Sequence, residues 1–236
     1  MTSTAAIPLS ISSDGKRRLL VGLSWEPLTA PQLSEKEKKS FFKTLFHKWT
    51  RTPFNRSGYD RKAQRVYRKK VDETGREKEY DYFDLDLICL VFDNHGNLKA
   101  TIGPDPEHLI NESGTVYHSG ENPTGIGGIA DDEQIHIHTL DVPADYAHFF
   151  FLIQSDCKFT LAEIDSPRIR IADSKTEKTL LESPLIFLEN QKDATACLSF
   201  HIFRKGDDWL AERSDRLGAF EDDWESVCKE AISASK

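Results

Sequence analysis

Residues 118–133, HSGENPTGIGGIADDE, hold a dense set of oxygen donors: Glu121, Asn122, Asp131, Asp132 and Glu133 around a glycine-rich turn. Three consecutive acids repel one another unless solvent, a cation or a basic partner offsets them. A second acidic pair, Asp84 and Asp86, opens the apolar run DLDLICLVF. Side chains two apart on a strand share a face, so these two carboxylates can converge. Carboxylate and amide oxygens, with backbone carbonyls that Gly125, Gly127 and Gly128 let turn inward, suit a hard cation, and calcium is the natural candidate. As plain structure, the same residues would solvate a strand end and a hairpin loop. No Gly-Lys-Ser/Thr follows the glycines, so they do not form a phosphate loop.

Other candidates are weaker. His136 and His138 fall on one face of an alternating strand, with His118 nearby in sequence. Imidazoles suit zinc or iron, but paired histidines on a half-buried sheet face are more often structural. A nucleophilic Cys157 would need a base and an oxyanion hole, and the sequence argues for neither. Cys89, Cys157, Cys197 and Cys228 are far apart with no CxxC pair. That spacing argues against a zinc ribbon and for reduced thiols in a cytosolic protein.

The elements that must position the acidic residues read mostly as short strands. Residues 7–12 suggest an edge strand, and 19–25 (LLVGLSW) a buried one limited by Pro27. A core strand over 84–92 turns through 93–97 into the next. Short strands over 114–118 and 134–139 flank the glycine-rich loop. Residues 148–154 (HFFFLIQ) are buried; 166–172 alternate, and 185–188 do so more weakly. Residues 194–204 turn through 205–208 and pair back over 209–212. Phe220, Trp224, Val227, Cys228 and Ala231 have helical spacing and predict a packed C-terminal helix over 220–231. Nine or ten strands with polar turns and no strand–helix alternation predict an all-β, antiparallel two-sheet β-sandwich.

Charge singles out one further segment. Residues 34–80 carry 15 Lys+Arg against 7 Asp+Glu, net +8, whereas the remainder carries 16 against 32, net −16. The overall −8 argues against a general nucleic-acid binder, and the asymmetry is the sharper clue. Residues 34–49 read as an inserted amphipathic helix: Ser34 and Glu37 have capping-box spacing, and Phe41, Leu45 and Trp49 form a stripe beside Phe42 and Phe46. Residues 50–79 read as a basic loop or extended hairpin around 73–75. The helix stripe would expose an apolar patch unless it packs on its own domain or on a partner. Phe42, Phe46 and Trp49, with Arg61, Lys62, Arg65, Arg68, Lys69 and Lys70, are the candidate contacts for a partner protein, an anionic membrane surface or nucleic acid.

At 236 residues and 38% hydrophobic content, the chain can bury a core as one large domain. The reading is a single domain over 1–236 with 34–80 inserted. No run approaches ~18 apolar residues, so no transmembrane segment is expected. The N-terminus lacks a basic region ahead of an apolar one and does not read as a signal peptide.

The order LVGLSWEP, FDLDLICLVFD, TVYHSGENPTG…DDEQIHIHTLDVP, HFFFLIQ, RIRI and FHIFRKGDDWLAERS resembles the TerD domain of tellurium-resistance and stress-response proteins. The resemblance covers residues 7–27 and 82–232. It implies a calcium-binding β-sandwich with one or two ions, held by Asp84, Asp86, Glu121, Asn122, Asp131, Asp132 and Glu133. It also implies a non-enzymatic role in tellurite, chemical-stress or phage resistance. That role runs through protein partners, other products of the same tellurium-resistance gene clusters, in cytoplasmic, membrane-associated complexes at the inner membrane face. The chain departs from the family loop, close to GDNxTGEGxGDDE. Glu121 replaces an Asp, Ile126 stands where an acid is common, and Gly128-Ile129-Ala130 adds a residue without an acid. Fewer anionic ligands imply weaker binding or a lost ion. The basic insertion is a third departure. The alternative readings are a hydrolase or transferase using the same carboxylates with magnesium or manganese, and an adaptor working through the basic insertion.

Overall fold

A computed structural model describes residues 6–9, 18–26, 68–71, 77–80, 85–120, 131–155, 160–185 and 193–234. Thirteen strands and one α-helix are described, with a short 3-10 turn at Leu161–Glu163: β1 (Ile7–Pro8), β2 (Arg18–Glu26), β3 (Arg68–Val71), β4 (Glu77–Tyr80), β5 (Leu85–Phe92), β6 (Leu98–Ile102), β7 (Val116–His118), β8 (Glu133–His138), β9 (His148–Ser155), β10 (Asp165–Asp173), β11 (Thr179–Pro184), β12 (Ala196–Lys205), β13 (Asp208–Gly218) and α1 (Trp224–Ala234).

Two antiparallel sheets carry the fold. One has six strands in the order β1-β13-β12-β9-β5-β6, and the other has five in the order β11-β10-β2-β8-β7. Period-two alternation builds the core between them. Leu19, Val21, Leu23, Ile135, Ile137, Ile169 and Ile171 point inward from the five-stranded sheet. Leu85, Leu87, Cys89, Val91, Phe149, Phe151, Phe200 and Ile202 do so from the six-stranded sheet. The expected all-β sandwich is the fold observed. β3 and β4 pair as a separate two-stranded hairpin. The predicted helix over 34–49 and residues 50–67 lie outside the described residues, as do Phe42, Phe46, Trp49, Arg61, Lys62 and Arg65, whereas Arg68, Lys69 and Lys70 fall on β3.

The six-stranded sheet also has an apolar outer face. Phe92, Phe150, Leu152, Ala196 and Leu198 pack there against Trp224, Cys228 and Ile232 of α1. The helix begins at Trp224 and not at Phe220, which is 46% exposed and precedes it. Asp223 caps the first turn, accepting hydrogen bonds from the Ser226 amide at 3.0 Å and the Ser226 hydroxyl at 2.7 Å. The apolar spacing thus marked the helix, and its cap set the boundary. β11, Thr179–Pro184, is an edge strand beside β10, and residues 186–188 of the strand expected over 185–188 lie outside the described residues. β13 runs from Asp208 to Gly218, well past the expected 209–212. Among the described cysteines, Cys89, Cys197 and Cys228 are free and buried; Cys157 lies outside the described residues.

Candidate metal centre

The three consecutive acids take three directions, because each meets a different part of the sandwich. Asp131 folds back over the outer face of the five-stranded sheet, above Gly22. A Cβ added at Gly22 would lie 2.2 Å from the Asp131 carboxyl carbon, so only glycine leaves room. Arg170 grips this carboxylate in a bidentate pair, Nε to Oδ1 at 2.8 Å and Nη2 to Oδ2 at 2.7 Å. The pair is largely withdrawn from solvent, with side-chain exposures of 1% for Asp131 and 15% for Arg170. Arg170 is held in turn by the Glu177 carbonyl and Thr179 Oγ1.

Asp132 stays at the mouth of the sheet. Its amide donates to the Leu23 carbonyl at 2.8 Å, and its Oδ2 accepts the Trp25 amide at 3.1 Å. Burial pushes its carboxyl up to about 6; the Trp25 amide opposes this, the Asp131 charge adds to it, and Arg168 also opposes it.

Glu133 turns inward and is fully buried. Its Oε2 accepts the Leu87 amide of the opposite sheet at 2.7 Å. β6 pairs with β5 only from Cys89 onward, and Glu133 satisfies an amide that the edge strand leaves uncovered. His118 Nε2 lies 3.3 Å from the same oxygen. The Gly120 amide donates to His118 Nδ1 at 3.0 Å, so a neutral His118 carries its hydrogen on Nε2. The two ends of the acidic loop thus come together at its neck. Ser119 and Gln134 reinforce the neck, with the Ser119 amide donating to the Gln134 carbonyl at 2.8 Å and the Gln134 amide to Ser119 Oγ at 3.1 Å.

Asp86 is buried on β5, one residue from the amide that Glu133 holds. Asp84, Glu121 and Asn122 lie outside the described residues, as does the glycine turn itself. Among the described residues no three His, Cys, Asp or Glu side chains cluster as a metal site. The sequence reading missed Arg170 and His118 as partners of the acids. The first was within reach: RIRI places Arg168 and Arg170 on one strand face, and a run of three acids calls for a counter-charge. Beside Asp131 and Arg170, Ser24, Arg168, Ile169, Thr179 and Glu182 complete the lining of a mostly polar groove of about 210 Å³.

A TerD domain model matches residues 67–215. Stress response protein SCP2 of Bacillus subtilis is 31% identical over 106 residues, 43% of this chain and 52% of that protein. General stress protein 16U of the same organism is 26% identical over 135 residues, 54% of this chain and 67% of that protein. The chain thus spans about half the length of the first of these relatives. A solved homologue of a telluride resistance protein (TerD) from Streptomyces coelicolor superposes with a TM-score of 0.53 at 16% identity, covering 92% of this chain and 98% of that one. A solved protein of unknown function superposes with a TM-score of 0.52 at 14% identity. At such identities the likeness concerns the fold. β2, the middle strand of the five-stranded sheet, precedes the matched segment and yet supplies Gly22 and the Trp25 amide to the acidic site.

Proposed function

This chain belongs to the TerD family, and we propose that it is a non-enzymatic, calcium-binding stress-response protein whose metal site is organised around Asp132. The carrying observation is the different fate of the three neighbouring acids. Asp131 already has a bidentate guanidinium, and Glu133 is engaged in joining the sheets. Asp132 is half-buried at the mouth of the sheet beside the Asp131 carboxylate, and burial together with that charge raises its carboxyl to about 6. A hard cation offsets that cost directly. The fit rests on oxygen chemistry: the Asp132 carboxylate, with Asp84, Asp86, Glu121, Asn122 and backbone carbonyls of the glycine turn called on to complete a shell of one or two ions. Asp131 and Glu133 hold the ligands in place from either side. Calcium would fix the shape of the loop as a surface for protein partners.

Action in tellurite or chemical stress, through other tellurium-resistance cluster products at the cytoplasmic face of the membrane, is part of the same reading. Among the described residues no helix is long and apolar enough to cross a membrane. The basic residues of 34–80 are the proposed contact with partners or with an anionic surface. A thermal-unfolding series on chelator-treated protein tests the metal. The midpoint should rise with micromolar-to-millimolar calcium and respond less to magnesium, which demands a stricter octahedral shell. An unchanged midpoint with calcium would sink the reading, and a larger response to magnesium or manganese would turn it toward metal-assisted chemistry.

A further inference from the structure

On the outer face of the five-stranded sheet, at the end away from Asp132, four elements bring nitrogen and hydroxyl donors together. β8 presents His136 and His138 on one face. β2 places Arg18 directly opposite His138, and β7 places Tyr117 directly opposite His136. The turn after β10 supplies Ser174, whose amide donates to the Arg18 carbonyl and whose Oγ lies 3.3 Å from His136 Nδ1. The Tyr117 ring stacks on His136 at 4.9 Å between centroids and meets His138 edge-on at 5.6 Å, which fixes both imidazoles. All four of Arg18, Tyr117, His136 and His138 are half-buried. His138 Nε2 is buried with no hydrogen-bond partner among the described residues. A buried polar nitrogen without a partner calls for an explanation, and a bound ion is one.

We propose that Arg18, His136, His138 and Ser174, held by Tyr117, form a binding site for a small phosphate-type oxyanion. The inference is independent of the calcium reading. Two imidazoles on one strand face could instead chelate a transition metal. Arg18 decides between these, since its fixed positive charge across the ladder from His138 opposes a cation and complements an anion. The electrostatics agree. His136 is held below the ordinary imidazole range by burial first, then by the charges of His138, Arg18 and His118, with Asp131 opposing. His138 is lowered by burial and Arg18, with Asp141 opposing. An anion would relieve the mutual repulsion and draw protons onto both rings. Binding should therefore tighten as pH falls.

The test titrates inorganic sulfate, whose charge is constant over the range, and inorganic phosphate into the full chain without metal. Heat and histidine ring NMR signals are followed at pH 6 and pH 8. Saturable binding of both anions at pH 6 is expected, with sulfate weakened about tenfold at pH 8 and the His136 and His138 signals moving together. Arg18→Ala and His138→Gln should each weaken binding about tenfold, whereas Arg18→Lys should retain most of it. Arg216→Ala, on the other sheet, should bind like the parent. No saturable binding at pH 6 would overturn the proposal. So would equal loss in Arg216→Ala, or uptake of zinc through His136 and His138 with no response to either anion.

Discussion

The outer faces of the two sheets have been put to opposite uses. On the six-stranded sheet, α1 covers Phe92, Phe150, Leu152 and Leu198, and the chain closes that face with its own residues. On the five-stranded sheet the outward positions include Leu20 and Ala172, but also Arg18, Gly22, Ser24, Gln134, His136, His138, Arg168 and Arg170, so polar and charged groups outnumber apolar ones. Each face also carries a histidine pair. His148 and His201 are sealed, with His148 Nδ1 3.0 Å from His201 Nε2 and His201 Nδ1 2.8 Å from Glu212 Oε1. Phe150 stacks on His201 at 4.1 Å between centroids, which completes the enclosure. His136 and His138 remain half-open beside Arg18. The same residue type is structural where apolar rings and a carboxylate account for its nitrogens, and available for binding where they do not. Ligand chemistry should therefore be sought on the five-stranded sheet and at its acidic mouth.

The largest expected effect is on the closed face. Trp224→Ala removes the buried anchor of α1 and should cost about 3–5 kcal/mol in denaturant unfolding. A loss below 1 kcal/mol would mean that the helix does not seal this sheet. Next comes the open face, where Asp131→Ala strands the Arg170 guanidinium against the sheet and should cost about 3 kcal/mol. Replacing both residues with apolar ones should recover much of that loss, which a double-mutant cycle reads directly. Gly22→Ala pushes a methyl group into the same carboxylate and should cost about 1–3 kcal/mol by the same assay.

The sealed histidines set a pH dependence. Burial lowers His201 below its ordinary value despite Glu212. The unfolded chain therefore takes up a proton at this site before the folded one does. Stability from this site is full above about pH 6.5 and declines as pH falls further. Unfolding midpoints from pH 8 to pH 5 should show this decline, and a His148→Phe/His201→Phe variant should flatten it. At the small end, Lys229→Ala breaks an exposed i,i+4 pair with Glu225 and should change stability by about 0.3–0.5 kcal/mol.

Much of this contrast was legible in the sequence. HFFFLIQ and DLDLICLVF are apolar on both faces, as strands must be when a core covers one side and a helix the other. QIHIHT and RIRI alternate, as strands with one polar face do. The acidic run was also visible, but not the divergence of its three members. That depends on Gly22 being bare, on Arg170 lying one strand away, and on β6 ending before Leu87. These are long-range facts of register, and no local pattern encodes them. The C-terminal helix shows the same limit, since spacing placed Phe220 in its stripe while Asp223 starts the helix later.

The central claim is that Asp132, at the mouth of the sheet, rather than Asp131, which Arg170 grips, is the carboxylate that calcium requires. Calorimetric titration of calcium into chelator-treated parent, Asp132→Asn and Asp131→Asn proteins at neutral pH tests it most directly. The account predicts saturable heat in the parent, its loss in Asp132→Asn, and its retention in Asp131→Asn despite lower stability. Absence of heat in the parent, or loss in Asp131→Asn with retention in Asp132→Asn, would contradict it.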